Sequence, residues 1–425
     1  MLITTDEARG QIRDVYAPSG ERSMVHHSYL SPDGRWVLLV VMDNRGELGP
    51  CQVVPFDGSG GARVVGPSQA TCLSGAWSPD GKWVYVCSNQ GGRFHIWRQK
   101  FPDGPAQQVT SGTTEEEGIA MSPDGKSLLT SVGVQDNTIW IHDTGGDRQL
   151  SSEGNAFATW FSQDGNKLYY LMQSGQNPAI EIWSKELSSG KSERIVSASA
   201  ILPGAILEFY DVSHDGKQVA FSMKDRNGTS HVWLAPTDHR SSPRQLASAT
   251  SQDTPRFLPN GDLVLRSTEG EQNFIYRTRP DGSERRKISP DPILDLHSLS
   301  PDGRWLTAFN KGTDDEHAGG ASAIPLDGGP SIRVCNTYCL PRWDLSGKFF
   351  WLSFPVTGET YMLPVNPARS LPDFPPGGIN AEADLKKDKR IVVIHQQIDS
   401  AVGPNYYSYT RQNTRRNIYR IPLSE

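Results

Sequence analysis

The chain has 425 residues, 36% of them hydrophobic, and its 42 Lys and Arg against 48 Asp and Glu give a formal net charge of -6. This acidic balance, with Lys and Arg scattered along the chain, argues against a nucleic-acid partner. The sequence contains no run of 18 apolar residues and no signal-like segment at Met1, so we expect no membrane insertion by this chain itself.

A turn of the form Ser-Pro-Asp-Gly recurs along the chain and sets its organisation. Close copies begin at Ser31, Ser78, Ser122 and Ser300, and looser copies begin at Ser162, Ser213, Leu258 and Asp344. Successive copies start 40 to 51 residues apart, a period typical of an array of one supersecondary unit. Proline, aspartate or asparagine, and glycine suit a tight turn between two strands.

Each repeat predicts four short antiparallel strands, which is the composition of a β-propeller blade. In the second repeat these strands are 73–77, 83–87, 94–98 and 107–110. The third strand carries an Ile-Trp or similar pair, which recurs at Ile96, Ile139, Ile182, Val232, Ile275 and Ile418. The sequence therefore predicts an all-β fold. We expect a single β-propeller domain over residues 1–425 with nine repeat units, or eight blades and an irregular tail.

The two ends of the chain lack the full repeat pattern. Residues 391–395, 406–410 and 417–422 are interpreted as the first three strands of a degenerate ninth unit. Gln11–Tyr16, in the N-terminal region 1–24, is the candidate for its fourth strand and would close the ring. Residues 366–389 are rich in Pro and Gly and predict an irregular surface excursion between the last two units.

The turn, the apolar strand after it and the Ile-Trp strand together resemble the WD40-like, TolB-type (PD40) propeller repeat of bacterial periplasmic and signalling proteins. A narrower likeness, to the C-terminal propeller of bacterial membrane-bound serine/threonine kinases, is carried by Arg13–Tyr16, Leu30–Gly34, Trp97–Gly104, Thr114–Gly118 and Arg416–Leu423. The resemblance implies an upstream kinase domain and membrane helix, with Leu2–Thr5 as the end of a third strand. Kinase motifs are absent from this sequence.

First strands line the central channel of a propeller, so the residues five positions before each turn are expected to form one ring. They are His26, Leu73, Glu117, Phe157, Glu208, Asp253, Asp295 and Cys339. With Glu115 added, the candidate ligand-binding residues at the channel mouth are His26, Glu115, Glu117, Glu208, Asp253 and Asp295. Such a ring would attract a divalent cation or a basic peptide. Alternatively, each carboxylate accepts backbone N–H bonds from the next blade.

Five cysteines leave two candidate disulfide pairs and one unpaired residue. Cys51 with Cys72, and Cys335 with Cys339, are close enough in the repeat pattern to be joined, which would favour an oxidising compartment. The alternative is a set of buried free thiols. Cys87 has no evident partner and is predicted as a core residue.

The sequence contains neither a Gly-x-Ser-x-Gly elbow nor a His-Glu-x-x-His motif, so we predict no catalytic residue and no cofactor beyond a cation in the channel. We expect a monomeric, non-catalytic module that binds a protein, peptide or small ligand, as the sensory or scaffold part of a bacterial signalling protein. The alternative is a propeller hydrolase or lyase that uses channel-mouth carboxylates or a bound metal. The residues do not fix the compartment; the resemblance favours the periplasm.

Overall fold

The computed structural model describes residues 2–6, 11–18, 23–43, 48–68, 70–151, 154–173, 179–310 and 319–423. These residues form short antiparallel strands with two four-residue helices. The strands of the first 150 residues are β1 (Leu2–Asp6), β2 (Gln11–Tyr16), β3 (Met24–Leu30), β4 (Trp36–Met42), β5 (Gln52–Pro55), β6 (Arg63–Val64), β7 (Cys72–Trp77), β8 (Trp83–Ser88), β9 (His95–Lys100), β10 (Ala106–Gln108), β11 (Glu115–Met121), β12 (Ser127–Asp143) and β13 (Gly146–Gln149).

The later strands recur at the same spacing, and the two helices lie among them. They are β14 (Asn155–Phe161), β15 (Lys167–Gln173), β16 (Ile180–Glu186), β17 (Ser192–Ser197), α1 (Ala198–Ile201), β18 (Ile206–Val212), β19 (Gln218–Lys224), β20 (Ser230–Pro236), β21 (Arg244–Gln245), β22 (Gln252–Phe257), β23 (Leu263–Glu269), β24 (Gln272–Thr278), β25 (Arg286–Lys287), β26 (Ile293–Leu299), β27 (Trp305–Asn310), β28 (Gly320–Pro325), β29 (Ile332–Arg333), β30 (Leu340–Trp343), β31 (Phe349–Phe354), β32 (Glu359–Pro364), α2 (Glu382–Leu385), β33 (Val392–Ile394), β34 (Ser400–Gly403) and β35 (Tyr406–Pro422).

The recurrent turn is held by its own side chains. In the first copy the hydroxyl of Ser31 donates to Asp33 at 2.6 Å and accepts the backbone N–H of Trp36 at 2.9 Å. Gly34 has a φ of 70°, the left-handed conformation that glycine adopts without strain, and its N–H closes the turn on the Ser31 carbonyl. The serine thus fixes the start of the second strand, and the motif has a structural role.

In the copy at Asp344 the serine and the aspartate exchange places and roles. Asp344 accepts the backbone N–H of Phe349 at 3.0 Å, and the hydroxyl of Ser346 donates to the same carboxylate at 2.5 Å. Either arrangement supplies one side-chain acceptor for the first N–H of the next strand. This explains why the looser copy at Asp344 closes the same hairpin.

The described residues divide into two compact units, where the sequence predicts one domain. The first comprises Met1–Gln135 and Asn413–Glu425, and the second comprises Asp136–Gly175 and Ala179–Gln412. The two long strands β12 and β35 each contribute residues to both units. The repeats on both sides have the same period and composition, so no linker marks the division in the sequence.

The second unit contains six four-stranded sheets that pack side by side into a closed ring. Five of them are built from consecutive strands: β14–β17, β18–β21, β22–β25, β26–β29 and β30–β33. Of these, β22–β25 and β26–β29 are linked by one residue pair, Asn273 with Ile293. In the sixth sheet, residues 136–143 of β12 lie between β13 and residues 406–412 of β35, whose other neighbour is β34. The ring is therefore closed by a sheet that combines strands from the two ends of this unit.

Apolar clusters between neighbouring sheets hold this ring together. Phe221 and Met223 of β19 pack against Leu171 and Ile182 of the preceding sheet. At the closing sheet, Tyr407 packs with Trp351 and other side chains of β31 and β32. A further cluster joins the closing sheet to β14 and β15. The core is thus spread over many interfaces between sheets rather than gathered in one centre.

The first unit contains a series of four sheets, of which two are incomplete. The sheets β3–β6 and β7–β10 have four strands. The series begins with the two-stranded sheet of β1 and β2, and it ends with β11, residues 127–135 of β12 and residues 413–422 of β35. Val15, Leu39 and Val54 pack the first two sheets together, and Tyr85, Ile96 and Leu128 pack the last two.

The all-β propeller architecture with four-stranded sheets is confirmed, whereas the predicted strands at the chain ends pair differently. Residues 391–395 contain β33, the outer strand beside β32, and residues 417–422 continue β35. Among the described residues, Gln11–Tyr16 pairs with Leu2–Asp6 rather than with residues 417–422. A short strand can complete any neighbouring third strand, so its pattern alone does not specify its partner.

The Pro- and Gly-rich residues 366–389 lie within the eighth repeat, between β32 and β33. They include α2, and Leu371, Ile379 and Leu385 are buried in the core of that repeat. The predicted surface excursion therefore has a packed inner face, because its apolar residues cover the outer strands of the sheet. Within the described part of the chain, neither α1 nor α2 has the length or hydropathy needed to cross a membrane.

Two disulfides are formed, one in each unit. Cys51 is joined to Cys72 across 21 residues, and Cys335 to Cys339 across four. Cys87 is a buried free thiol. Burial, followed by the nearby charge of Glu116, raises the pKa of this thiol to about 12, so it stays protonated at neutral pH.

Candidate functional site

A bulge in the first strands positions the side chains of the candidate site. Pairing between the first and second strands shifts register just after Phe157 and just after Asp253. The residues next to these positions, Ala158 and Thr254, have φ values of 54° and 49°. Such bulges bend a strand and turn its side chains toward a new direction. Each bulge lies between the residue five positions before the turn and the residues two and three positions before it. The side chains of these two sets therefore form two different layers.

Asp253 and Asp295 share one buried cation in the second unit. The guanidinium of Arg266 binds both carboxylate oxygens of Asp253, at 2.6 and 2.7 Å. Its Nη1 lies 3.8 Å from Asp295 and donates to the carbonyl of Leu294. Burial acts to lower the pKa of Arg266, but the hydrogen bonds and charge of Asp253 outweigh it and the pKa is raised. Arg266 is therefore a permanent cation.

Glu208 lies on the preceding first strand and is paired in the same way. Lys224 Nζ is 3.6 Å from its carboxylate, and the hydroxyl of Ser230 donates to it at 2.7 Å. The charge of Glu208 also acts on Arg266, which places the three carboxylates in one electrostatic cluster. Three carboxylates against Lys224 and Arg266 leave a net negative charge.

An aromatic side chain stands beside this cluster on a disulfide-closed loop. Tyr338 is 54% exposed, lies in the loop closed by the Cys335–Cys339 disulfide, and packs edge-on against Phe309 at 5.8 Å. Burial of its hydroxyl, followed by the charge of Asp295, raises the pKa of Tyr338. The loop thus presents an aromatic ring and a hydrogen-bonding hydroxyl next to the carboxylates. We name Glu208, Asp253, Asp295, Arg266, Lys224 and Tyr338 the acidic mouth.

Deeper along the same first strands lies a second layer of buried polar groups. Arg256 donates to the carbonyls of His297 and Tyr210, at 3.0 and 3.1 Å, and Arg342 donates to the carbonyl of Asp399. Burial lowers the pKa of His297 to about 4. The imidazole is therefore neutral at physiological pH, and its Nε2 has no hydrogen-bond partner among the described residues.

Toward the turns the second layer opens into a small cavity of about 60 Å³. Trp160, Trp343, Arg256, His214 and Asp211 are among its lining residues. Burial raises the pKa of Asp211 to about 6, against the opposing charge of Arg256. A space of this size accommodates water or a small ion rather than an organic ligand.

The sequence reasoning located the acidic column but missed its cations and the second layer. Lys224 and Arg266 lie on second strands, β19 and β23. Each lies beside the carboxylate of the neighbouring first strand, Glu208 or Asp253. Arg256 and Arg342 lie two positions before their turns, and His297 lies three positions before its turn. Reading those two columns as well would have found the second layer.

The six candidate residues are divided equally between the units. Glu208, Asp253 and Asp295 lie in the second unit, whereas His26, Glu115 and Glu117 lie in the first. The other residues of the predicted column are Phe157 and Cys339, in the second unit, and Leu73, in the first.

In the first unit the acidic run 115–117 is also paired with cations. Arg416 lies 3.0 Å from Glu117 and 3.5 Å from Glu115. The buried Glu116 points to the opposite side of the strand, where it bonds His95 and Thr110 at 2.9 and 2.6 Å. His26 is exposed, with its ring 4.3 Å from that of His27.

Neither carboxylate group is arranged as a metal site. Over the part of the chain that the structure describes, no three His, Cys, Asp or Glu side chains come together to hold an ion. The carboxylates of the acidic mouth contact guanidinium, ammonium and hydroxyl groups instead. These groups are the partners of an ion-pair network rather than ligands of a divalent cation.

Comparison with known proteins agrees with this architecture. The WD domain, G-beta repeat model matches residues 62–98. A Tol-Pal system protein TolB of Anaeromyxobacter dehalogenans is 30% identical over 129 residues, 29% of this chain and 29% of that protein. Dipeptidyl aminopeptidase BIII of Pseudoxanthomonas mexicana is 22% identical over 343 residues, 72% of this chain and 47% of the peptidase. The chain thus matches less than half the length of either relative.

Among solved structures, TolB from Acinetobacter baumannii superimposes with a TM-score of 0.33 at 18% identity, covering 71% of this chain and 60% of that one.

Proposed function

Since the chain is built from TolB-like, WD40-like β-propeller repeats, we propose that it is a non-catalytic binding module whose second unit takes a basic polypeptide segment at the acidic mouth. The observation that carries the proposal is the uneven pairing of Asp253 and Asp295. Arg266 makes its two short bonds to Asp253, and Asp295, whose side chain is 41% exposed, stays 3.8 Å from the same guanidinium.

Asp295 therefore keeps accepting capacity toward solvent. Its recorded hydrogen bond is from the neighbouring N–H of Leu296, at 2.8 Å. A carboxylate has about four acceptor sites, so a Lys or Arg of a ligand finds sites still open on Asp295. Tyr338 beside it offers an exposed ring to the apolar stem or aromatic group of the same segment.

The ion pairs of the mouth favour recognition over catalysis. Both carboxylate oxygens of Asp253 are bound by the guanidinium of Arg266. A carboxylate occupied in this way is poorly placed to reach a substrate proton as a general base. A hydrolase or lyase that used these carboxylates would lose substrate turnover on Asp253→Asn. Because one of the similar proteins is a peptidase, the enzyme is the alternative that the binding experiment has to be weighed against.

The proposal extends to the compartment and the biological role. The chain forms two separate disulfides, one in each unit. Such bonds persist in oxidising compartments. This supports a place outside the cytoplasm. There the module would act as the sensory or scaffold part of a bacterial signalling protein, as the kinase-propeller resemblance implies.

The test uses the full chain and immobilised dodecapeptides of equal length and apolar content that carry either Lys and Arg or Asp and Glu. We expect the chain to bind the basic set, with affinity falling as salt is added. Asp295→Asn should weaken that binding on the order of tenfold, since a charge-assisted hydrogen bond contributes about 1.5–3 kcal/mol.

Asp238→Asn is the matched control, because Asp238 is an exposed carboxylate of the same unit paired to Arg240 at 3.1 Å. It should bind as the wild type does. Equal binding of basic and acidic peptides by the wild type, or equal binding by wild type and Asp295→Asn, would overturn the proposal. Turnover of a glycan or peptide substrate that disappears in Asp253→Asn would establish the enzyme instead.

A further inference from the structure

The last sheet of the first unit ends at a strand that has no outer neighbour among the described residues. In this unit β6 lies outside β5 and β10 lies outside β9. The N–H of Leu423 bonds the carbonyl of Lys126, as the N–H of Phe101 bonds that of Lys82. This equivalence identifies residues 413–422 of β35 as a third strand, the counterpart of β9. We call these residues the open edge.

The open edge is unusually exposed for a strand with apolar residues. Ile418 is 71% exposed and Tyr419 is 51% exposed. The next residues, Ile421 and Leu423, pack against the core between the last two sheets. The strand is thus fixed on its inner side, while its central residues present side chains and backbone groups to solvent. An edge of this kind is a template for pairing with another extended chain.

The charge of the open edge selects the occupant. From Tyr406 to Leu423 the sequence contains Arg411, Arg415, Arg416 and Arg420, and no Asp or Glu. Arg416 is held by Glu115 and Glu117. Arg415 and Arg420 are exposed, and Nε of Arg420 donates to the hydroxyl of Ser127 at 2.8 Å. Opposite charges on facing strands stabilise a pair and like charges oppose it. A second copy of this edge would bring arginine against arginine, which disfavours self-pairing.

We infer that the open edge binds an extended, acidic segment of a partner protein as the fourth strand of this sheet. Backbone hydrogen bonds to residues 413–422 supply the affinity. Side chains of a strand alternate between the two faces of its sheet, so Ile418 and Arg420 share one face and Arg415 lies on the other. Acidic side chains of the segment meet Arg415 and Arg420, one on each face, and an apolar side chain covers Ile418. This site lies in the first unit and is independent of the acidic mouth proposed above.

The probe is a labelled decapeptide built on the repeat Glu-Glu-Val-Thr, which places Glu on both faces of an extended chain. It is titrated into the full chain and followed by fluorescence anisotropy. We expect saturable binding, and protection of residues 413–423 from hydrogen exchange when the peptide is bound. A version N-methylated at every second amide should lose binding at least tenfold, since it cannot complete the backbone pairing. A Lys version of the peptide should not bind.

Ile418→Asp should weaken binding at least tenfold by placing a carboxylate opposite the acidic segment. Val356→Asp is the matched control, because Val356 is an 89% exposed apolar residue of the second unit, and it should leave binding unchanged. Asp295→Asn should also leave it unchanged, which separates this site from the acidic mouth.

Equal binding of the N-methylated and unmodified peptides would overturn strand addition, as would the absence of protection at residues 413–423. Sedimentation that showed a dimer of the wild type, lost in Ile418→Asp, would identify a second copy as the occupant and equally overturn the inference. Preference for the Lys peptide would contradict the role of Arg415 and Arg420.

Discussion

Replacement of His297 by glutamine should make the protein less sensitive to acid. Burial lowers the pKa of this imidazole from about 6.5 to about 4. Below pH 6.5 the unfolded chain binds a proton at this site that the folded chain does not accept until about pH 4. Stability therefore falls as the pH drops through this window. A difference of about 2.5 pKa units corresponds to roughly 3 kcal/mol.

Glutamine has a similar size and no proton to gain, so this loss should disappear. Urea unfolding at intervals from pH 7 to pH 4 gives the free energy of unfolding of wild type and variant. The difference between the two proteins should change by about 3 kcal/mol across the window. Asp211 titrates nearby, with a pKa raised to about 6 by burial. It is present in both proteins, so its opposite contribution cancels in the comparison.

The control is His395→Gln, since the His395 side chain is 81% exposed. Its effect on the unfolding free energy should be small beside that of His297→Gln. If the wild-type and His297→Gln curves run parallel from pH 7 to pH 4, the imidazole is not held neutral and the argument from burial fails.

Three further predictions follow from packing and covalent links. Arg266→Met should lower the unfolding free energy by about 3–5 kcal/mol because it leaves Asp253 buried without its cation, and adding Asp253→Asn should restore part of it. Gly75→Ala places a Cβ 2.3 Å from Leu38 Cδ2 and should cost about 1–3 kcal/mol in urea unfolding, whereas Gly61→Ala, with open space around its Cβ, should not. Cys51→Ser with Cys72→Ser removes the disulfide that joins residues 21 positions apart and should lower the unfolding free energy by about 3 kcal/mol. Adding a reductant to this variant should cause no further loss of stability in the first unit.

The repeat hairpins could be predicted from the sequence because their signal is local. A serine, an aspartate and a glycine within four residues form the whole hydrogen-bonded turn, as they do from Ser31 to Gly34. The exchanged order from Asp344 to Gly347 still supplies one acceptor to the following strand. Every copy of the turn therefore predicts a first strand before it and a second strand after it. This prediction does not depend on the neighbouring sheets.

The division into two units could not be predicted in this way, because it depends on which third strand joins which hairpin. Ile139 and Trp140 follow the third turn in sequence, yet they belong to the sheet of β34 and residues 406–412. Residues 413–422 take the vacant place beside β12 in the first unit. An Ile-Trp strand has the same apolar face in either sheet, so its pattern does not choose between them.

The acidic mouth shows the same limit at the level of side chains. Counting back from the turn found Glu208, Asp253 and Asp295 because first strands share one register. Their cations, Lys224 and Arg266, come from second strands, where the register relative to the first strand shifts at a bulge. Beside a bulge, sequence spacing does not tell which side chains of the two strands are neighbours. The sequence therefore indicated the three carboxylates but not the cations that pair with them.

The shared strands β12 and β35 also impose an order on biosynthesis. The hairpin of β11 and β12 leaves the ribosome early, but the third strand of its sheet begins at Asn413. At about 5–20 residues per second, synthesis of the intervening segment takes on the order of tens of seconds. During that interval the first unit waits with an unfilled sheet edge while the second unit emerges and closes. The edge of β12 in the first unit therefore stays unpaired through most of the synthesis of the chain.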